Sequence, residues 1–259
     1  MTGVLFDLDG CLWYGSRVAP GAPEVVAELR RRGYTVRFLT NASGEDETGL
    51  AGKLNRLGIP AEPAQVLAPL TVAHQHPALS GGAKVLTVGR PELAERLAQR
   101  GVPVTGDPAQ ADAVLVGNWR ELRFGDLIPA ITAIDGGAAL VALNMDRRVP
   151  TADAVAPGTG AIVNALVTAT GAEVQTIGKP TRFFFEKALE RFGLNADATV
   201  MIGDSPDTDV RGGKAAGMLT VLVGGATPDG EDETPDMRVP DLHSLLQHFS
   251  SPKEGVRAV

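Results

Sequence analysis

The chain has 259 residues, of which 44% are hydrophobic and 21% charged, which is typical of a globular protein with one or two domains. Its formal net charge of -7 disfavours nucleic acid or an anionic membrane as a partner, and no apolar run approaches the roughly 18 residues that span a bilayer. Because Cys11 is the only cysteine and no secretion signal is evident, we expect a soluble, cytoplasmic protein without a disulfide.

Strand and helix patterns alternate along nearly the whole chain, which predicts an α/β fold built on a parallel sheet. The predicted strands, in chain order, cover 4–6, 35–40, 84–88, 113–116, 138–143, 199–202 and 220–223. The predicted helices cover 23–32, 50–57, 91–100, 126–134, 161–169, 182–192, a segment through 215–216, and 242–249. Segments 144–158 and 224–235 have loop composition, and we expect the tail 251–259 to be frayed.

Two carboxylates, Asp7 and Asp9, end the first predicted strand and are followed by Gly10. Residues i and i+2 of an extended chain share a face, and open α/β sheets bind ligands at the carboxyl ends of their strands. Two acids there suit a nucleophile beside a general acid/base, or a hard metal ion. An Asp-Gly turn explains the same residues, so this segment alone leaves both interpretations open.

Three later segments place polar residues after a strand or at the start of a helix. Thr40-Asn41 offers a hydroxyl and an amide to an anion, and Lys179 brings a cation to a predicted helix start. Segment 203–209, GDSPDTD, adds a second group of carboxylates. A turn, a solvated lysine or a helix cap accounts for each segment separately. Together, these acids, the hydroxyl and the lysine form a coherent phosphate site.

The segments DLDGCLW, LTNAS, GKP and GDSPDTD resemble the four ordered motifs of the haloacid dehalogenase superfamily. Their spacing, with NMDRRVPTADAVAPGTGA and TVLVGGATPDGEDETPD, resembles its class IIA branch of NagD-like and p-nitrophenyl-phosphatase-like phosphatases. The resemblance implies a Rossmann-like, doubly wound parallel core with a smaller α/β cap domain. It also implies Mg²⁺-dependent hydrolysis of small phosphomonoesters through an aspartyl-phosphate intermediate.

The resemblance assigns a role to each matching residue. Asp7 is the nucleophile, and Asp9 protonates the leaving oxygen before it deprotonates the attacking water. Lys179 neutralises the phosphoryl group, which Thr40 and Asn41 bind. The chain departs from the family at Ala42, where a second Asn is common, and in Gly44-Glu45-Asp46, where a basic residue is usual. Phosphate binding is therefore expected to depend more on Ser43 or on backbone groups.

The metal site implied by the resemblance is made of oxygen ligands. Asp204, the carboxylate of Asp7 and the backbone carbonyl of Asp9 hold Mg²⁺, a metal that accepts such ligands. Asp209 supports this shell, and Asp207 is a further candidate.

The position of the largest insertion indicates where a cap domain lies. Only about 32 residues separate Asp7 from Thr40, whereas about 137 lie between Asn41 and Lys179, enough for a helix and a separate α/β domain. This placement resembles the class II cap and disfavours sugar phosphomutases. Asp9 disfavours a dehalogenase, and the missing membrane spans exclude a transport ATPase. The predicted domains are a catalytic core, 1–78 and 175–259, and a cap for substrate specificity, 79–174.

Within the predicted cap, Asn144 and Asp146 are our candidates for substrate binding. Arg147 and Arg148 are further candidates in the same loop and would favour an anionic substrate. A solvent-facing loop explains these residues equally well. The resemblance also implies a homodimer through the cap. We expect the four histidines to lie on the surface; they are His74, His76, His243 and His248.

The sequence thus predicts a phosphatase for small esters, with p-nitrophenyl phosphate as an in vitro substrate. Sugar phosphates, nucleotides, glycerol phosphate and pyridoxal phosphate all stay open as substrates. The alternatives are a phosphotransferase or phosphomutase, and a non-catalytic ligand-binding protein of the same fold. The intact set of Asp7, Asp9, Lys179 and Asp204 disfavours the non-catalytic alternative.

Overall fold

The computed structural model describes residues 2–150, 155–226 and 234–249, and the chain divides into two compact units. The first unit comprises Met1–Thr40, Glu47–Leu67 and Lys179–Val259, and the second comprises Asn41–Asp46 and Ala68–Gly178. Residues 41–46, 68–78 and 175–178, which were predicted to belong to the core, fall in the second unit of this division. No helix in the described part of the chain is long and apolar enough to cross a membrane.

The strands of the described residues are numbered in chain order. They are β1 (Gly3–Asp7), β2 (Trp13–Tyr14), β3 (Arg17–Val18), β4 (Thr35–Leu39), β5 (Val66–Leu67), β6 (Val85–Val88), β7 (Ala113–Val116), β8 (Ala139–Ala142), β9 (Arg148–Pro150), β10 (Val155–Pro157), β11 (Val174–Thr176), β12 (Thr199–Gly203), β13 (Leu219–Val223) and β14 (Met237–Val239). The helices are α1 (Ala22–Arg31), α2 (Glu47–Arg56), α3 (Pro69–Val72), α4 (Glu92–Ala98), α5 (Ile128–Asp135), α6 (Thr159–Thr170), α7 (Arg182–Phe192), α8 (Arg211–Ala215) and α9 (Leu242–Leu245).

The first unit is built on a parallel six-stranded sheet in the order β14-β13-β12-β1-β4-β5. Strands β1 and β12 are buried along their whole length, as expected for the apolar runs VLF and TVMI at the centre of a parallel sheet. Strand β1 pairs with β4 on one side and with β12 on the other. The strand order therefore reverses at β1, and ligands of open α/β sheets bind at such a reversal.

Helices flank this sheet because their apolar residues repeat at helical spacing. In α1 the buried residues are Val25, Val26 and Leu29 together with Ala22, and the chain leaves the helix through Gly33, whose φ is +94°. Helix α7 begins after Thr181, whose side chain accepts a hydrogen bond from the Phe184 backbone N–H. These helices fix the connections between the strands that carry the predicted site residues.

The second unit has its own parallel sheet, in the order β11-β8-β7-β6. Helices α5 and α6 pack on it through one apolar core, which includes Val114, Leu140 and Leu166. The unit also contains an antiparallel pair formed by β9 and β10. An independent sheet and core are what a separate domain requires.

Several sequence predictions need correction at the level of elements. Segment 144–158, predicted to be a loop, contains the pair β9 and β10, and residues 151–154 within it lie outside the described part. The last helix ends at Leu245 instead of residue 249. His76, expected on the surface, is 7% exposed, and its ring nitrogen accepts a hydrogen bond from the Ala78 N–H. The predicted loop 224–235 lies partly, and the frayed tail 251–259 wholly, outside the described residues.

Candidate active site

A buried lysine lies between two buried carboxylates in the first unit. The ammonium of Lys179 donates hydrogen bonds to Asp7 Oδ1 and to Asp209 Oδ1, the latter at 2.6 Å. The three side chains are between 2% and 7% exposed. Asp7 is the last residue of β1, and Lys179 lies three residues before α7. A buried charge is tolerated only when it is paired, so the lysine and the two acids depend on one another.

Asp204 completes an acidic group with Asp7 and Asp209. One carboxylate oxygen from each residue lies within 4.8 Å of the others. Asp204 follows β12, and the helical turn Pro206–Val210 presents Asp209, whose Oδ2 accepts a hydrogen bond from the Ser205 N–H at 3.2 Å. Three carboxylates this close repel one another, and a divalent cation with a preference for oxygen relieves that repulsion.

Burial and crowding shift the protonation of this group. Burial raises the pKa of Asp7 well above its ordinary range; Lys179 opposes this effect, while Asp209 and Asp204 add to it. The pKa of Asp204 rises to about 6, mainly because of burial and then because of the charge of Asp209. Burial acts to lower the pKa of Lys179, but the charges of Asp209 and Asp7 outweigh it and raise that pKa. The lysine is thus held as a cation.

Two glycines allow the acids to approach the backbone closely. Gly10 has a φ of +97°, and a Cβ at this position would overlap the carboxylate of Asp204. A Cβ on Gly203 would overlap the carboxylate of Asp209. The acidic group can adopt this geometry because Gly10 and Gly203 have no side chain.

Asp9 lies in the turn after β1, with its side chain about half exposed. The indole Nε1–H of Trp13 donates a hydrogen bond to Asp9 Oδ1 at 2.6 Å. The ammonium of Lys53, on α2, is 4.0 Å from the same oxygen. Because β1 ends at Asp7, the strand alternation from which the sequence predicted a common face does not extend to Asp9.

The remaining predicted residues divide between the two units. Thr40 is buried directly after β4, and its N–H donates to the Leu67 carbonyl at 3.1 Å. Asn41 belongs to the second unit, where its side-chain amide donates to Asp146 Oδ1 at 2.9 Å. Its backbone carbonyl accepts a hydrogen bond from the Asn144 side-chain amide at 2.6 Å. The structure thus brings Asn41, Asn144 and Asp146 together. Asn144 is also bonded to the Asp146 N–H, so both ends of its amide are engaged within this unit.

Ser43 lies in a hydrogen-bonded group of the second unit. Its Oγ is 3.3 Å from Thr159 Oγ1 and accepts from the Asn118 N–H at 3.1 Å. Arg147 and Arg148 are exposed, and so is Asp207, which is not one of the three residues of the acidic group.

The chain matches known families and proteins. A family model described as haloacid dehalogenase-like hydrolase matches residues 4–103, and one described as HAD-hydrolase-like matches residues 176–245. The 5'-nucleotidase YutF of Bacillus subtilis is 33% identical over 92% of this chain and 93% of its own length. A human glycerol-3-phosphate phosphatase is 35% identical over 85% of this chain and 77% of its own length.

Solved structures give the same result. A glycerol phosphate phosphatase from Mycobacterium tuberculosis in complex with magnesium superposes with a TM-score of 0.87 at 32% identity, over 96% of this chain and 77% of that one. A p-nitrophenyl phosphatase from Archaeoglobus fulgidus gives 0.85 at 30% identity, over 96% and 99%. The chain belongs to the haloacid dehalogenase superfamily, in its class IIA, NagD-like branch.

Asp7, Lys179, Asp204 and Asp209 were predicted from the sequence and lie together in the structure, whereas two residues beside Asp9 were not predicted. Trp13 lies inside the motif DLDGCLW, where its indole N–H was a usable signal because a buried indole needs an acceptor. Lys53 lies in the middle of α2, and nothing in the sequence distinguishes it from a solvated lysine. Only the tertiary structure associates it with Asp9.

Proposed function

We propose that the chain is a Mg²⁺-dependent phosphatase that hydrolyses small phosphomonoesters through an aspartyl phosphate on Asp7. The observation that carries this proposal is the buried ion pair of Lys179 with Asp7 and Asp209, set among carboxylates that converge within 4.8 Å. A buried lysine between acids at the reversal point of a doubly wound sheet suits charge stabilisation during phosphoryl transfer. Relatives named as phosphatases or as a 5'-nucleotidase support the same class of reaction.

The residues present fit a magnesium ion. Asp7, Asp204 and Asp209 offer only oxygen ligands. Burial, and then the charges of the neighbouring carboxylates, raise the pKa of Asp7 and of Asp204, as expected where a cation would be needed to stabilise the ionised forms. The backbone carbonyl of Asp9 is a proposed further ligand. When bound, Mg²⁺ would supply positive charge that favours the ionised form of Asp7 and offsets the charge of the phosphate.

In the first proposed step, a carboxylate oxygen of Asp7 attacks phosphorus, and the bond from phosphorus to the ester oxygen breaks. Asp9 gives its proton to that oxygen, so the alcohol leaves neutral and the phosphoryl group stays on Asp7. Lys179, held as a cation by its two acidic partners, stabilises charge on the phosphoryl oxygens.

In the second proposed step, water attacks the phosphorus of the aspartyl phosphate and gives a proton to the Asp9 carboxylate. The bond from phosphorus to the Asp7 oxygen breaks, which releases inorganic phosphate and restores the carboxylate. Asp9 thereby returns to its protonated form for the next cycle.

Other residues have proposed roles in binding. Thr40, Asn41 and Ser43 bind the phosphoryl group, and the hydrogen bond from Asn41 to Asp146 orients the Asn41 amide. We propose that the second unit, predicted as 79–174, is the cap that reads the leaving group. Asn144 supports this role through the hydrogen bond that its amide donates to the Asn41 backbone carbonyl.

The substrate is proposed to be a small phosphate ester such as a glycerol phosphate or a nucleotide, since relatives with these named activities match most of the chain. A single cysteine in 259 residues supports a cytoplasmic location, and a net charge of -7 supports a protein that binds neither nucleic acid nor membrane. A homodimer through the cap is a further proposal, tested by sedimentation.

The test is release of inorganic phosphate from p-nitrophenyl phosphate and from a panel of phosphate esters, with Mg²⁺ or with EDTA. We expect Mg²⁺-dependent release by the wild type and a loss of at least about 1000-fold in kcat for Asp7→Asn, because an amide cannot form the intermediate. Asp197→Asn, at an exposed aspartate of the same unit, is the control. A phosphorylated organic product would indicate a phosphotransferase or mutase, and no release from any ester would contradict the proposal.

A further inference from the structure

Asp9 is held by two side chains that the proposed mechanism does not use. The Trp13 indole donates to Asp9 Oδ1 at 2.6 Å, and the Lys53 ammonium is 4.0 Å from the same oxygen. The ammonium also lies over the Trp13 ring, 4.1 Å from its centroid, which is a cation–π contact. Each of the three groups therefore contacts the other two.

The Trp13 side chain is rigidly placed. It is fully buried in β2, its backbone N–H donates to the Leu8 carbonyl at 3.1 Å, and its carbonyl accepts from the Gly10 N–H at 2.8 Å. The indole is thus tied to the same turn that carries Asp9. Lys53 comes from α2 and restrains the group from a second element.

Asp9 itself lacks such burial. Its side chain is 50% exposed, and among the described residues only its Oδ1 has hydrogen-bond or ion-pair partners. A half-exposed carboxylate rotates readily unless one of its oxygens is anchored. With Oδ1 engaged by these two side chains, Oδ2 is the oxygen left to exchange a proton.

We propose that Trp13 and Lys53 are positioning residues for Asp9: they anchor Oδ1 so that Oδ2 exchanges the proton with the leaving group and with water. This inference rests on the proposed function. A general acid acts only within hydrogen-bond reach of the ester oxygen, and a displacement of about 1 Å costs on the order of 100-fold. The pair would therefore contribute to the rate without contacting substrate.

The leaving group distinguishes positioning of the acid from a general structural role. An alkoxide needs a proton as it departs, whereas 2,4-dinitrophenolate departs as a stable anion. The parameter kcat/KM reports the steps up to transfer of the phosphoryl group to Asp7, so it is insensitive to hydrolysis of the intermediate. Misplacing Asp9 should therefore lower kcat/KM for an alkyl phosphate much more than for the dinitrophenyl ester.

The main experiment compares wild type with Trp13→Phe, which keeps a ring beneath the ammonium but removes the N–H. We expect kcat/KM for glycerol 3-phosphate to fall roughly 10- to 100-fold and that for 2,4-dinitrophenyl phosphate to fall less than about threefold. Equal losses on the two esters, or no loss on either, would overturn the inference. Phosphate release by wild type from neither ester would refute the proposed function, and this inference with it.

Lys53 provides a second test that does not disturb a buried ring. Lys53→Met should reproduce the selective loss on the alkyl ester, and Lys53→Arg should restore most of it because it keeps the cation. Lys187→Met, at a lysine of α7 that pairs with Glu190, is the matched control and should leave both parameters unchanged. If Lys53→Met behaves as Lys187→Met does, Lys53 has no positioning role.

Discussion

At the residue scale, the acidic group is a compromise between stability and metal binding. The folded protein holds Asp204 with a pKa of about 6, against an ordinary value of 3.8, because burial and the charge of Asp209 disfavour its ionised form. Between these two values the unfolded chain ionises Asp204 and the folded chain does not. Asp204 therefore lowers the free energy of unfolding of the metal-free protein. The reduction grows from about pH 4 to about pH 6 and is constant above pH 6.

Asp204→Asn should therefore stabilise the metal-free protein. In EDTA at pH 7 to 8 we expect the free energy of unfolding to rise by roughly 1–3 kcal/mol, with the gain shrinking as the pH falls from 6 towards 4. In millimolar Mg²⁺ the order should reverse, because the wild type gains binding energy that the variant lacks. Urea unfolding at several pH values, with and without Mg²⁺, measures both effects. A variant less stable than wild type in EDTA at pH 7 would contradict this account.

The site residues that could be predicted from the sequence are those that lie in a short motif directly after an apolar strand. Asp7 and Asp204 each follow an apolar strand, and their motifs made them candidates for a common site. Lys53 could not be predicted, since its association with Asp9 depends on how α2 packs. Asn144 was predicted to bind substrate, but the sequence could not reveal that the structure uses both ends of its amide within the second unit.

At the element scale, the turn after β1 is fixed by backbone conformation as much as by side chains. Gly10 has a φ of +97°, in a region where residues with a Cβ are strained, and it lies against the Asp204 carboxylate. Gly15, in the turn between β2 and β3, has a φ of +61° but no atom within 4 Å of its Cβ position. An added side chain would be strained by the backbone at either position, but only at Gly10 would it also overlap a neighbouring atom.

This pair allows a matched test of the turn. Gly15→Ala should cost about 1–2 kcal/mol from backbone strain and leave the thermal shift caused by Mg²⁺ intact. Gly10→Ala should cost roughly 1–3 kcal/mol more and abolish that shift, because the added methyl displaces Asp204. Thermal melts with and without Mg²⁺ compare the two variants. Equal Mg²⁺ shifts in both would mean that the turn does not position the acid.

Elements with a long, regular pattern were predicted well, and very short ones were not. The prediction for β7 and that for α7 match the observed bounds, since four consecutive apolar residues and a capped amphipathic helix leave little choice. Strands β5, β9 and β10 have two or three residues each, too few for a periodicity. They exist because neighbouring strands offer hydrogen-bond partners, which is tertiary information.

At the scale of the whole molecule, the first unit is made of three separate segments of the chain, whereas the second is made almost entirely of one. The second unit is a single run, Ala68–Gly178, apart from the short segment Asn41–Asp46. The ends of this run meet, because an ideal Cβ on Gly178 would lie 2.9 Å from Cγ of Pro69. Adjacent ends are expected of a domain inserted into a host, and they allow the insert to be cut out without opening a gap.

We therefore expect residues 68–178 to fold when expressed alone. The fragment keeps the sheet β11-β8-β7-β6 and the apolar core around Leu140, and these supply the burial that drives folding. It loses every hydrogen bond to segment 41–46, including those of Asn41 with Asp146 and Asn144, of Ser43 with Asn118 and Thr159, and of Arg96 with Gly44. Each is a net contribution of about 1 kcal/mol, so the fragment should be less stable than the same unit in the whole chain.

Circular dichroism and urea unfolding test the fragment. A cooperative transition with α/β spectra is expected, with no change on adding Mg²⁺ because the acidic group lies wholly in the first unit. The control Leu140→Asp, which buries an unpaired charge in the core, should abolish the transition. A fragment that unfolds without cooperativity, or that behaves the same with Leu140→Asp, would show that the core of the second unit does not fold by itself. Cooperative folding would mean that residues 68–178 carry their own folding information.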